Sequence, residues 1–99
     1  MPRVMFTISY RIKPDRREQY LTLIKEMKQH FTVQGKHNYS VFEAKGKKNN
    51  FTEVFITNSL EEFDGLEDNL DEKAQELNSS LQGFVDEGGM KYNTIVEAV

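Results

Sequence analysis

Val4-Met5-Phe6-Thr7-Ile8-Ser9-Tyr10-Arg11-Ile12 is the stretch that decides the fold. Val4, Phe6, Ile8, Tyr10 and Ile12 fall on one side, and Met5, Thr7, Ser9 and Arg11 on the other. A period of two with one wholly apolar side reads as a strand. Pro14 ends it. Asp15-Arg16-Arg17-Glu18 then has the spacing of a capping box, with Asp15 as N-cap and Glu18 reaching back. Tyr20, Leu23, Ile24, Met27 and Phe31 follow at helical spacing, with Lys25, Glu26 and Lys28 on the other side. The pattern predicts a helix that stops near Thr32–Val33, before Gly35.

Asn38 to Lys45 alternates again, and so does Phe51 to Thr57. Gly46-Lys47-Lys48-Asn49-Asn50 joins them with the turn chemistry of a hairpin. Ser59-Leu60-Glu61-Glu62 is a second capping box. It opens a helical stretch with Leu60, Phe63, Leu66 and Leu70 on one face, continuing through Ala74, Leu77, Leu81 and Phe84 after a break near Asn69–Asp71. Gly88-Gly89 reads as a helix stop, and Met90 to Val99 as a last strand rich in β-branched and aromatic residues. The order is strand, helix, strand, strand, helical region, strand. This is the ferredoxin-like β-α-β-β-α-β sandwich, an α+β fold with its first and third strands central. No linker, repeat or low-complexity tract interrupts residues 1–99, so a single domain is expected.

Two helices cover one face of a four-stranded sheet. The alternation predicts Phe42, Val54 and Ile56 on the helix side with Val4, Phe6, Ile8 and Tyr10. The other face would then carry Met5, Thr7, Ser9, Arg11, Tyr39, Val41, Glu43, Phe51, Glu53 and Phe55. About half of these are apolar, too many for a solvated face. The expected partner is a second copy, sheet against sheet, in a two-fold homodimer. Met5, Arg11, Val41, Glu43, Phe51, Glu53 and Phe55 are the dimer-face candidates, with Arg11 near Glu43 or Glu53.

Composition narrows the function classes. The 99 residues include 26 Leu, Ile, Val and Phe, enough for a small core, and no cysteine. That excludes disulfide scaffolds, zinc-thiolate and iron–sulfur sites and a cysteine nucleophile. The net charge of -3 hides a split: residues 1–48 hold eleven Lys/Arg against four acids, and residues 49–99 hold two against twelve. Lys45-Gly46-Lys47-Lys48 with Arg16-Arg17 reads as a solvated hairpin tip, not a nucleic-acid site, because Glu53 sits at the centre of the third strand and the second half is acidic. The acids from Glu61 to Glu72 lack the rhythm of a calcium loop and suit a helix surface. His30 and His37 have no further ligands arranged around them, so no metal is expected. There is no nucleophile elbow, phosphate loop or dinucleotide fingerprint. No apolar run approaches the roughly 20 residues that cross a bilayer, and charged Arg11 comes too soon for a signal-peptide core. A cytoplasmic protein without membrane contact is expected.

Tyr10-Arg11-Ile12-Lys13-Pro14-Asp15, Asn38-Tyr39-Ser40-Val41, Phe51 and Asn58-Ser59-Leu60-Glu61-Glu62-Phe63 carry a resemblance over nearly the whole chain. In these features it resembles the dimeric α/β-barrel superfamily, and within it the antibiotic-biosynthesis monooxygenase-like domains. The resemblance implies a small homodimer whose sheets form a shared barrel, with a pocket between each sheet and its helices. Some such proteins oxidise phenols or quinols without metal or flavin, and some degrade haem. Catalytic members commonly carry Glu-x-Trp on the third strand and a histidine on the next helix. Here Phe55, Thr57 and Leu66 stand there, and Thr7 stands where haem degraders have an asparagine. Haem degradation is therefore not expected, and no cofactor is. Tyr10, His30, Tyr39, Tyr92 and Asn93 are the candidates to line a ligand pocket. Three readings stay open: a barrel holding a small aromatic or apolar ligand, a cofactor-independent monooxygenase of a phenol or quinol, and a structural interaction domain.

Overall fold

The computed structural model describes residues 2–66 and 71–99. Its elements are β1 (Val4–Ile12), α1 (Arg17–Gln29), β2 (Asn38–Glu43), β3 (Asn50–Thr57), α2 (Leu60–Asp64), α3 (Glu72–Gln82) and β4 (Val85–Val96). The strands form one antiparallel sheet in the order β2-β3-β1-β4. This is the ferredoxin-like arrangement, with the first and third strands central. Tyr20, Leu23, Ile24 and Met27 form the buried stripe of α1, and Ala74, Leu77 and Leu81 that of α3. Both stripes close on Tyr10, Ile12, Phe51 and Val85 of the sheet. Burying each large apolar side chain stabilises by about 1.5–3 kcal/mol, so these stripes fix the helices to one face. Among the described residues no helix is long and apolar enough to cross a membrane.

The helix ends depart from expectation in instructive ways. Pro14 opens a 3-10 turn, Pro14–Arg16, whose first position suits its fixed φ. Asp15 lies inside that turn, so it does not cap α1, which has no side-chain cap. The second box forms: Ser59 Oγ accepts from the Glu62 N–H at 3.1 Å. The Glu62 carboxylate accepts from the Asn58 N–H at 2.9 Å, one residue earlier than the box places it. Asp71 caps α3, accepting from the Ala74 N–H at 2.8 Å. The expected helical position of Leu70 and the break at Asn69 lie outside the described residues. Gly88-Gly89 ends no helix. It lies within β4, where the pairing with β1 jumps from Tyr10↔Met90 to Ile12↔Val85. The extra residues bulge opposite Arg11, and Gly89 takes the left-handed φ of +70° that the bulge needs.

The register between β1 and β3 corrects the assignment of faces. Val4 pairs with Thr57, Phe6 with Phe55, Ile8 with Glu53 and Tyr10 with Phe51. Paired residues share a face. Phe51, Glu53 and Phe55 therefore point towards the helices, together with Tyr39, Val41 and Glu43 of β2. Phe42, Val54 and Ile56 lie on the outer face instead. Of the expected dimer-face residues, only Met5 and Arg11 keep their place. The physical reason is that β3 is apolar on both sides, so its alternation cannot choose a face, and a slip of one residue exchanges them.

The charge split resolves into contacts inside the fold. Arg3–Glu97 (2.8 Å), Arg11–Asp86 (3.7 Å) and His30–Asp71 (2.9 Å) each join the basic half to the acidic half. Arg11 thus meets Asp86, not Glu43 or Glu53. Glu43 is held by Arg17 at 2.6 Å and by the Asn49 N–H at 2.9 Å, which lower its pKa to about 2. Lys73–Glu26 (2.7 Å) runs the other way, basic residue in the second half. Of these, Arg3–Glu97, Arg11–Asp86 and Lys73–Glu26 are the most solvated, and salt screens them. Raising sodium chloride from about 0.05 to about 1 M should lower the melting temperature by a few degrees; a salt-independent melting temperature would contradict this.

Candidate functional site

The short α2 and the helix α3 do not fill the whole inner face of the sheet. A cavity of about 230 Å³ remains between the sheet, α3, Leu66 and the segment from Phe31 to His37. Phe6 and Ile8 of β1, Phe55 of β3 and Met90 of β4 form its sheet side, and Phe31 and Leu81 come from the helical side. Aromatic packing keeps these walls in place. Phe55 meets Tyr39 at 4.7 Å and Phe31 at 5.5 Å between ring centroids, and Phe31 meets Tyr39 at 4.9 Å. Contacts of this kind contribute about 0.5–1.5 kcal/mol each beyond burial. Tyr92, 63% exposed, stacks on Phe6 at an interplanar angle of 17° and borders the cavity with Gln82, Asn78, Leu66 and His37.

Glu53 is the unusual wall residue. It is 1% exposed, and the pairing with Ile8 sets it in the middle of the inner face. Its Oε1 accepts from the Tyr39 hydroxyl at 2.7 Å. Its Oε2 is buried and has no hydrogen-bond partner among the described residues. Burial pushes the carboxyl pKa up, and the Tyr39 and Tyr10 hydroxyls pull it back by less. The hydroxyls of Tyr10 and Tyr20 bond to each other at 2.7 Å. Burial, reinforced by nearby Glu53, also raises the Tyr10 and Tyr39 phenols. An unsatisfied buried oxygen costs about 1–3 kcal/mol, and native proteins keep few of them. Glu53 contributes to the lining of the cavity, while its Oε2 atom is itself buried.

The expected pocket residues divide clearly. Tyr92 lines the cavity. Tyr39 and Tyr10 are buried outside it, Tyr39 holding Glu53 and Tyr10 bonded to Tyr20. His30 bonds both oxygens of Asp71 at 2.9 and 3.1 Å, tying the end of α1 to the cap of α3. Asn93 pairs with Thr7 on the outer face, because Tyr92 beside it points inward. Sequence reasoning missed Glu53, His37, Asn78 and Gln82. Asn78 and Gln82 had left a signal, two amides one helical turn apart flanking the apolar position of Leu81.

The positions highlighted by the resemblance also have roles. Phe55 lines the cavity where catalytic members carry glutamate, and the carboxyl of this chain stands two residues earlier on the same face. Thr57 is buried, and its hydroxyl donates to the Ser59 carbonyl at 3.1 Å, bracing the start of α2. Leu66 adds apolar surface to the cavity. Thr7 faces outward. Among the described residues no group of three or more His, Asp or Glu could hold a metal ion.

No protein-family model matches the sequence, and no curated protein does. Solved structures match over nearly full length. A conserved protein from Methanosarcina mazei Go1 superposes with a TM-score of 0.84 at 13% identity, covering 99% of this chain and 95% of that one. An antibiotic biosynthesis monooxygenase gives a TM-score of 0.73 at 12% identity, with 97% of each chain covered. SnoaB, a cofactor-independent oxygenase from Streptomyces nogalater, gives 0.72 at 10% identity, covering 94% of this chain and 90% of that one. The chain therefore shares the fold of the antibiotic-biosynthesis monooxygenase-like proteins, and at this identity the likeness is one of fold.

The Tyr39–Glu53 bond should couple the two residues energetically. Tyr39→Phe is expected to destabilise the protein by about 1–3 kcal/mol, and to cost clearly less in a Glu53→Leu background. Urea denaturation of the four proteins measures this; an equal cost in both backgrounds would show no coupling.

Proposed function

We propose that this chain is a small homodimeric α/β-barrel protein that holds a small aromatic or apolar ligand between its sheet and its helices. The observation that carries the reading is the cavity itself: a mostly apolar lining that includes Glu53, whose carboxyl is buried and has one oxygen without a partner among the described residues. Ligand sites have this composition, mostly apolar with a few placed polar groups. The volume of about 230 Å³ lies below the roughly 300–1,000 Å³ of drug-sized pockets, which suits one or two fused rings.

The outer face supports the dimer. Met5 pairs with Ile56 on one side and Ile95 on the other, so an apolar rung crosses three strands. Met5, Ile95 and Phe42 are exposed, Phe42 by 59%. Thr7, Ser9 and Thr52 surround them, uncharged and short enough for close approach of a second sheet. A two-fold pairing of these faces would bury them and close the barrel. A cytoplasmic site of action fits the same reading.

Glu53 favours a second reading, a cofactor-independent monooxygenase of a phenol or quinol. Among the lining residues Glu53 is the carboxyl available to take a phenolic proton, amid mostly apolar neighbours. The resulting electron-rich ring is what dioxygen attacks in such chemistry.

Two measurements decide. Light scattering at micromolar concentration should give a dimer, which Met5→Asp combined with Ile95→Asp should convert to monomer. Adding naphthalene should shift the backbone amide resonances of Phe31, Phe55, Leu81 and Tyr92 and leave those of Thr7 and Thr52 in place. A monomeric wild type contradicts the dimer, and an unchanged spectrum contradicts the cavity as a ligand site. Oxygen consumption with a panel of quinols and phenols separates the second reading from the first.

A further inference from the structure

The bulge of β4 opens a second cleft, on the outer face of the sheet and separate from the cavity. It lies towards the far end of that face from the Met5 rung. Arg11 stands six residues beyond Met5 along β1, about 20 Å away. The cleft has a volume of about 320 Å³. Ser9 and Arg11 of β1, Thr52 of β3, and Asp86 and Lys91 of β4 line it. Ser9 pairs with both Thr52 and Lys91, so these side chains share a face, which by alternation is also that of Arg11. Between the pairs Tyr10↔Met90 and Ile12↔Val85, residues 86–89 of β4 stand opposite Arg11 alone. That excess of chain makes room for the cleft. No atom lies within 4 Å of where a Cβ of Gly89 would stand, so the bulge is not filled from that side.

The donors here are only partly used. Oδ1 of Asp86 accepts from the Gly88 N–H at 2.9 Å, and Oδ2 stands 3.7 Å from Arg11 Nε. The first contact pins the turn of the bulge. The second is too long for a hydrogen bond and leaves the guanidinium donors unspent. Among the described residues Arg11 forms this ion pair alone, and Lys91 forms none. Both are exposed, Arg11 with 59% of its side chain accessible. The Ser9 and Thr52 hydroxyls bond to each other at 3.0 Å, which uses one of their two protons and leaves the other. Two cations and one acid give the lining a formal excess of one positive charge.

A guanidinium offers two parallel N–H groups to one oxyanion, and a carboxylate matches that fork. Its single charge also balances the lining. A phosphate dianion brings a second charge, which would face Asp86 uncompensated. Lys45, Lys47 and Lys48 on the adjoining hairpin form no ion pair among the described residues, and they extend the positive field that draws an anion in. We propose that this cleft is a binding site for a small organic carboxylate, held by the Arg11 fork with the Lys91 ammonium beside it.

Three aliphatic probes test it: propionate, its uncharged isostere propionamide, and methyl phosphate, a dianion at about pH 7.5. Each is titrated at constant ionic strength, with sodium chloride as the balance, and followed by the Arg11 Nε–H resonance and the Ser9 and Lys91 amides. Propionate should shift these signals to saturation and leave the Phe31 and Leu81 amides of the cavity in place. Propionamide should not shift them, and methyl phosphate should bind about threefold or more weaker than propionate. Arg11→Lys keeps the charge without the fork and should weaken propionate about fivefold or more; Lys91→Gln should weaken it about two- to threefold. Asp86→Asn keeps an acceptor for the Gly88 N–H, removes the charge, and should bring methyl phosphate level with propionate or above it. Equal responses to propionate and propionamide, or no saturable shift beyond that of chloride, would overturn the site. Methyl phosphate binding tighter than propionate to the wild type would overturn the carboxylate assignment. Wild-type affinity in Arg11→Lys, or in Lys91→Gln, would overturn the roles given to these two side chains.

Discussion

The pairing of Ile8 with Glu53 across β1 and β3 is the constraint on which the rest of this molecule depends. It sets which side of the third strand faces the helices, and it carries a carboxyl into the core. A one-residue slip would expose Phe51 and Phe55 and bury Val54 and Ile56 in their place. The carboxyl would then be free in solvent, and the cavity would lose Phe55 and Glu53 from its lining. The observed register buries two aromatic rings and accepts a carboxyl whose second oxygen stays unpaired. Tyr39 offsets part of that cost by donating to the first oxygen. The fold and the candidate site are thus two consequences of one pairing.

Much of the architecture was legible in the residues. The first strand alternates without ambiguity, the stripe of α1 is regular, and Ser59-Leu60-Glu61-Glu62 marks a helix start that the structure contains. Element order and the central place of the first and third strands follow from these. The site was less legible. Phe51 and Phe55 compete with Val54 and Ile56 for the same face, and periodicity ranks the two sides equally. Glu53 tips that balance the wrong way, because a lone acid in a strand reads as solvent-facing unless its partner is known. That partner, Tyr39, sits on another strand and is brought close only by the pairing of β2 with β3. Gly88-Gly89 misled for a related reason. Two glycines after an apolar helix resemble a stop, yet the bulge opposite Arg11 needs the same backbone freedom.

The charge split likewise changes meaning once the strands are paired. Arg3 meets Glu97, Arg11 meets Asp86, and His30 meets Asp71, so opposite halves of the chain become neighbours. The complementarity stitches termini and helix ends together. The candidate site lies on the inner face. It holds the buried acid Glu53, and Phe55 and Leu66 add to the apolar wall. With His37, Asn78, Gln82 and Tyr92 they give the cavity a mostly apolar lining with a few polar groups.

The central claim is that Glu53 is a buried acid held in the wall of the cavity, and its own titration tests that most directly. Protein labelled with carbon-13 at the glutamate side-chain carboxyl, with Glu53→Gln supplying the assignment, gives the ionisation of this one group by NMR. Because burial raises it, the Glu53 resonance should titrate above the ordinary glutamate value of about 4.3. A folded pKa raised in this way means that the native state holds the proton more tightly than the unfolded chain does. The contribution of Glu53 to stability is then greatest at low pH, and it falls as pH rises from about 4.3 through the folded value. A resonance titrating at or below about 4.3 would contradict the account, since it would describe a solvated or ion-paired carboxylate.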